Sequence, residues 1–275
     1  MGLRINTNVA SLAAQRQIGL SQRKTEGLMK SLASGNRFDN PGESPADHSI
    51  SEHLRAQVSG LGAAKANAEN AQSFIHVAEG GLNEQNNILI RLRELAVAAA
   101  SDTFSDRDRE LFHHEFDQLQ QELDRIANTT QFGGTKLLSG ENKEYEFQVG
   151  AYKGADNIIA YRSDTDTRAS ALDVDSISVE SKYDARDAIE TLDNALDKIG
   201  EARASFGAIQ SRMDSAINNA GIQIENLEAA HSRMADTNFA QATSDMYKQQ
   251  ALQQYQISVL SEANRFPGSV IRLIG

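Results

Sequence analysis

From Leu54 onward, apolar residues recur at alternating steps of three and four: Leu54, Leu61, Ala64, Ala68, Ala71, Ile75, Ala78, Leu82, Leu89, Leu92, Ala96 and Ala99, with Gln57 and Gln85 as the two polar members of the series. The residues between them are mostly polar. That period predicts one long α-helix, about 69 Å at about 1.5 Å per residue, with a single seam for partner helices. A second series runs through Ile189, Leu192, Leu196, Ile199, Arg203, Phe206, Gln210, Met213, Ile217, Ala220, Ile224, Leu227, His231 and Met234. Between the two, Ser105 followed by Asp108 marks a helix start close to a capping box, and Phe112, Phe116, Leu119, Leu123 and Ile126 keep the same spacing. Three helices with matched seams predict an elongated, coiled-coil-like bundle, with a short turn at Ser101 to Phe104.

The pattern changes at about 132–187. Phe132-Gly133-Gly134, Ser139-Gly140 and Gly150 are turn signals around Tyr145, Phe147 and Val149, which alternate with polar residues and predict a small β-hairpin. From Lys153 to Asp187 the chain is rich in Asp, Ser and Thr, with short pieces such as Ile158-Ile159, and is expected to form an exposed elaboration rather than a second core. Both ends are amphipathic. Residues 1–35 carry Ile5, Val9, Leu12, Ile18, Leu20, Leu28 and Leu32, and residues 236–275 carry Phe239, Met246, Leu252, Tyr255, Val259 and Leu260. The segment from Gly35 to Ser49, with Pro41, Gly42 and Pro45, is expected to break the helix and act as a joint. A helix with one apolar stripe and no partner is marginal in water, so these ends are expected to be ordered by neighbouring copies.

Composition narrows the function. The 275 residues hold 27 Lys+Arg against 38 Asp+Glu, a formal net charge of -11, which disfavours nucleic acid and anionic membrane surfaces as main partners. With no Cys there is no disulfide framework and no thiolate metal site. The longest purely apolar run, Leu95 to Ala100, falls far short of the roughly 20 residues of a membrane span. The N-terminal MGLRINTNVASLAAQ lacks the apolar block and cleavage site of a secretory signal peptide, so export would require another machine.

The segments INTNVASL, SLASGNR, LNEQNNILIRLRELAV and DRIANTTQFGGTKLLSG, followed by SFGAIQSRMDSAINN, DTNFAQATSDMYKQQALQQ and SVLSEANRFPGSVIRLI, resemble bacterial flagellin in this order over nearly the whole chain. The resemblance implies a structural subunit of the flagellar filament, exported unfolded through the flagellum's own type III machinery and polymerised at the distal tip. It implies paired N- and C-terminal helices (1–44 with 235–275) forming an inner-tube domain and a rod-like helical domain at 45–234, in a minimal form with little or no outer domain. Ile5, Val9, Leu12, Leu28, Leu32, Phe239, Met246, Leu252, Tyr255, Val259 and Leu260 are then the self-assembly residues. Implied partners are further copies of the chain, filament cap and hook-junction proteins, an export chaperone and the export apparatus. The implied location is the extracellular filament, and neither cofactor nor catalytic activity is implied. The segment FDNPGESPADHSIS, with Pro41, Pro45 and His48, departs from the family's usual Ala/Asp-rich helical start. Arg91, Leu95 and Glu115 match positions that flagellins use toward the animal innate receptor for flagellin; facing a neighbouring subunit is the simpler role.

Two other readings stand beside this one. A hook-filament junction protein shares parts of both ends. A di-iron carboxylate bundle would use the pairs Glu110-x-x-His113 and Glu228-x-x-His231, but the Phe112/Phe116 seam puts Glu110 and His113 off the core stripe. His113-His114-Glu115 lacks the H-E-x-x-H spacing of a zinc helix.

Overall fold

The computed structural model describes residues 7–38 and 44–274, with side chains described as far as Arg265; Ile5, Pro41 and Gly42 lie outside the described residues. The architecture is mainly α. In chain order the elements are α1 (Val9–Ser34), α2 (Pro45–Ala99), α3 (Asp106–Thr129), β1 (Gln131–Phe132), β2 (Thr135–Lys136), β3 (Lys143–Gln148), β4 (Ile158–Ser163), α4 (Lys182–Ala235) and α5 (Phe239–Ile274). The chain divides into two compact units, Met1–Ala56 with Asn226–Gly275, and Gln57–Glu225.

In the second unit the α2 seam is buried without a gap from Leu61 to Ala99, Gln85 included. Ser105 caps α3 in a reciprocal capping box with Asp108, as the spacing predicts. Phe116 and Leu123 of α3 are fully buried, while Phe112 and Leu119 pack against the core from its edge. On α4 alternate members of the predicted series, Leu192, Ile199, Phe206, Met213 and Ala220, are buried, and the members between them are not. The buried row is Ala185, Ala188, Leu192, Ala195, Ile199, Ala202, Phe206, Ile209 and Met213, so Ile189, Leu196, Arg203, Gln210 and Ile217 stand half-buried beside it. Four of its nine members are alanines, which share the row with Leu192, Ile199, Phe206, Ile209 and Met213. Helices α2 and α4 run antiparallel, with Gln72 donating to Asp214 at 2.7 Å and Arg93 to Asp193 at 2.6 Å.

The predicted hairpin is present, and its second strand comes from the stretch expected to be an exposed elaboration. Strands β3 and β4 pair antiparallel with Tyr145 opposite Tyr161 and Phe147 opposite Ile159. Ile159, Tyr161, Ala169, Leu172, Val174 and Val179 all join the one buried core, which corrects the expectation for 153–187. The reason is alternation: β4 buries every second residue, and its Asp, Ser and Thr neighbours masked that period. Phe74 gathers Tyr145 at 5.0 Å and Phe147 at 5.8 Å between ring centroids. Gly133 and Gly134, at φ 57° and 83°, form the tight turn between β1 and β2.

Gln85 ties these pieces together. Its side-chain amide donates to the Leu123 carbonyl at 3.1 Å and the Thr167 carbonyl at 3.2 Å, joining α2 to the end of α3 and to the segment after β4, with the residue 0% exposed. Replacing it by Ala removes both hydrogen bonds and opens a void. Gln85→Ala is therefore expected to destabilise this unit by about 2–4 kcal/mol, read as a lower urea midpoint at unchanged m-value. An unchanged midpoint would show that the hydrogen bonds contribute nothing net.

Candidate functional site

The first unit is built on α1 and α5, packed antiparallel. Asn8 caps α1 by accepting from the Ser11 amide at 3.1 Å, and its own amide donates to the Ala263 carbonyl at 2.7 Å. Further along, the Ser21 hydroxyl donates to Gln249 Oε1 at 3.1 Å, and the Thr237 hydroxyl donates to the Ser31 carbonyl at 3.2 Å. Gly35 ends α1 in the left-handed region at φ 72°. Beyond it, Arg37 N–H donates to the Ala235 carbonyl and Thr237 N–H to the Gly35 carbonyl, which fastens the exit of α1 to the link between α4 and α5.

The seam of this pair is unlike that of the second unit. On α1 the inward residues are Ser11, Ala14, Ile18, Ser21, Thr25, Leu28 and Leu32; on α5 they are Ala242, Met246, Gln249, Gln253, Gln256, Leu260 and Ala263. Both sets keep three-four spacing, but the residues of α1 that are fully buried are Ser11, Ser21 and Thr25. Among the described residues, the buried Oε1 of Gln256 has no hydrogen-bond partner. Apolar side chains point outward instead: Val9 is 60% exposed and Tyr255 69%, and Leu12, Leu20, Phe239, Leu252 and Val259 are exposed as well. Of the self-assembly residues expected from sequence, Leu28, Leu32, Met246 and Leu260 thus lie toward the seam, while Val9, Leu12, Phe239, Leu252, Tyr255 and Val259 face away from it. The polar seam residues were missed by the sequence reading because an apolar search passes over a heptad written in Ser, Thr and Gln. Burying one of the outward side chains is worth about 1.5–3 kcal/mol, so this surface has more to gain from a partner than the seam gains from itself.

A second candidate surface lies on the second unit. Arg91 donates from Nε to Glu115 at 2.9 Å and from Nη1 to Glu94 at 3.0 Å, joining α2 to α3 at the surface. The hydrogen bonds to Glu115 and then Glu94 raise the Arg91 guanidinium above its ordinary value. Leu95 is not part of that surface: it is 4% exposed and belongs to the core. Glu110 is exposed, and the His113 ring lies 3.6 Å from Asp117 and 3.4 Å from Glu180, so its neighbours are those carboxylates. Among the described residues no three His, Asp or Glu side chains gather as a metal site, and no helix is long and apolar enough to cross a membrane.

Exposed ion pairs set a pH dependence. Hydrogen bonds from Lys182, Arg125 and Arg93 hold Asp102, Glu122 and Asp193 below the usual carboxylate range, and the Ser105 hydroxyl does the same for Asp108. A carboxyl depressed on folding contributes stability above its unfolded value, about 4, and loses that contribution as pH falls through its lower folded value. Acid also leaves 27 Lys+Arg and 6 His without counter-charge. The thermal midpoint followed by circular dichroism is expected to fall steadily from about pH 5 to about pH 2; a midpoint flat across that window would deny these pairs any net role.

Comparison with known proteins bears on both surfaces. The family model for the bacterial flagellin N-terminal helical region matches residues 5–143, and that for the C-terminal helical region matches residues 189–274. A flagellin of Halalkalibacterium halodurans is 34% identical over 98% of this chain and 99% of its own length. A flagellar filament 30.7 kDa core protein of Treponema maltophilum is 34% identical with the same two coverages. The crystal structure of Bacillus cereus flagellin superposes with a TM-score of 0.51 at 29% identity, covering 56% of this chain and 88% of that one.

Proposed function

The chain belongs to the bacterial flagellin family and is a subunit of the flagellar filament, and from that premise we propose that its paired terminal helices supply the contacts that build the polymer. The observation behind this is the inversion of the α1/α5 pair, with Ser and Thr buried in the seam and Val9, Leu12, Leu252 and Tyr255 exposed on its outer faces. A monomer in this form leaves apolar surface in water; a helical array of copies covers it. Family membership is that of a structural protein, and the relatives named above, a flagellin and a flagellar filament core protein, match over 98% of this chain, which favours the filament subunit over the hook-junction reading.

The finer partners follow from the same proposal. Export through the flagellar machinery, and a chaperone that covers the ends until then, are consistent with terminal helices whose apolar faces would otherwise aggregate. The Arg91–Glu115 pair, exposed at the α2/α3 surface, is proposed as a subunit contact and, incidentally, as a contact for the animal flagellin receptor, with Leu95 beneath it supporting α2. The test is direct. Purified full-length chain, concentrated with ammonium sulfate, is expected to pellet and to show filaments by negative-stain microscopy. A chain that stays a small discrete oligomer at every concentration would overturn the proposal.

A further inference from the structure

The outward face of α1 is divided in two. Its N-terminal half carries Val9, Leu12 and Leu20, and along the same face Arg16, Arg23 and Lys30 recur at seven-residue steps, all exposed. None of the three cations makes an ion pair among the described residues; Arg23 meets only the Gly19 carbonyl of its own helix, at 3.4 Å. Beside them runs an open groove of about 800 Å³, whose walls include Arg23, Lys24, Lys30 and Arg37 against Glu26 and Asp245. On a chain of net charge -11 this is a local excess of positive charge.

A surface of opposite sign occurs on α4. Asp187, Glu190, Asn194, Asp197 and Glu201 follow three-four spacing on its exposed face, and none of the four carboxylates makes an ion pair among the described residues, although neighbouring Asp193 and Asp184 are engaged. Seven residues of helix advance about 10.5 Å, and Glu190 and Asp197 stand at that interval, so two successive cations of α1 can meet them in register, with Asp187 and Glu201 flanking, as charges do beside a coiled-coil seam.

We propose that the cationic face of α1 takes the acidic face of α4 from a second copy of the chain. The docking presupposes the filament proposed above and names one of its contacts. It gives the cations a role that the α1/α5 pair does not use, and it sets a direction. Opposite charges at two different places on the same molecule allow a head-to-tail contact, the kind that a filament propagates. Salt by itself is a poor probe, because it screens this attraction and also the general repulsion between acidic chains.

Charge exchange separates the two. The chain carrying Arg16→Glu, Arg23→Glu and Lys30→Glu is expected to need at least about tenfold more protein to polymerise at low salt, with unchanged far-UV circular dichroism. Adding Glu190→Lys, Asp197→Lys and Glu201→Lys restores the net charge of -11 and re-creates the pairs with signs exchanged, and is expected to bring the critical concentration back toward that of the unaltered chain. Adding Glu141→Lys, Glu144→Lys and Asp156→Lys instead restores the same net charge elsewhere and is expected not to. Equal rescue by both sets, or rescue by neither, overturns the docking while the unaltered chain still forms filaments. Absence of filaments from the unaltered chain would overturn the filament contacts themselves.

Discussion

The chain carrying Leu252→Asp together with Tyr255→Asp is expected to remain soluble at concentrations where the unaltered chain forms filaments, with its far-UV helicity essentially unchanged. Both side chains are exposed on the outer face of α5, so in the monomer the substitutions fall in the class of surface changes worth about ±0.5 kcal/mol. In the polymer they would place two carboxylates against apolar neighbours. Unpaired burial of that kind costs several kcal/mol, and each 1.4 kcal/mol is a factor of about ten, so the critical concentration should rise at least about a hundredfold. Substitution toward the seam has a different signature. Leu28→Asp or Leu260→Asp strikes the α1/α5 contact itself, and helicity is expected to fall along with polymerisation. If the outward pair polymerises normally, or if inward and outward variants lose helicity alike, the division of α1 and α5 into a seam face and a docking face fails. Sedimentation and circular dichroism on the same samples decide it.

How legible this was in the sequence depended on which chemistry wrote each heptad. The α2 seam from Leu61 to Ala99 is spelled almost wholly in Leu, Ile and Ala, and it was read residue for residue. On α4 the larger members Leu192, Ile199, Phe206 and Met213 were legible, while the alanines at 185, 188, 195 and 202, four of the nine buried residues, were not, and Ile189 and Leu196 stand beside the row they fill. Leu172, Val174 and Val179 were hidden by their Asp, Ser and Thr neighbours, because the segment between β4 and α4 is irregular and has no period to detect. The joint between α1 and α2 was legible because proline and glycine act through backbone geometry alone: Gly35 sits at positive φ and Pro45 is the first residue of α2.

The candidate site was legible as a list and not as a geometry. Apolar residues at the two ends were identified, yet nothing in their spacing said that Leu28 would face α5 while Leu12 would face away. Only the partner helix decides that, and its own seam is made of Met246, Gln249, Gln253 and Gln256. Leu95 shows the same limit. Arg91 is a surface group and Leu95 is core although they stand four residues apart on one side of α2, because an offset of about 40° at the margin of the seam is enough to pass from rim to interior.

A chain shortened to residues 45–234 is expected to fold and not to polymerise. Its core is self-contained: the cluster from Ala68 through Phe116, Leu138, Val174 and Phe206 to Met213 draws every member from within residues 45–234, the irregular segments around the strands included. The ion pairs Arg91–Glu115, Arg93–Asp193 and Asp102–Lys182 also close within it. Cooperative urea unfolding is therefore expected, with an m-value reduced in proportion to the smaller buried surface. What the shortened chain lacks is α1 and α5, and with them both the outward apolar faces and the cations at 16, 23 and 30. Its polymerisation should be lost outright instead of shifted, since no concentration replaces an absent surface. Filaments from the shortened chain would move the principal contacts to the α2–α4 unit and reduce the terminal helices to accessories. A shortened chain that is unfolded at 25 °C would instead show that the unit draws stability from the ends, which its buried core gives no reason to expect.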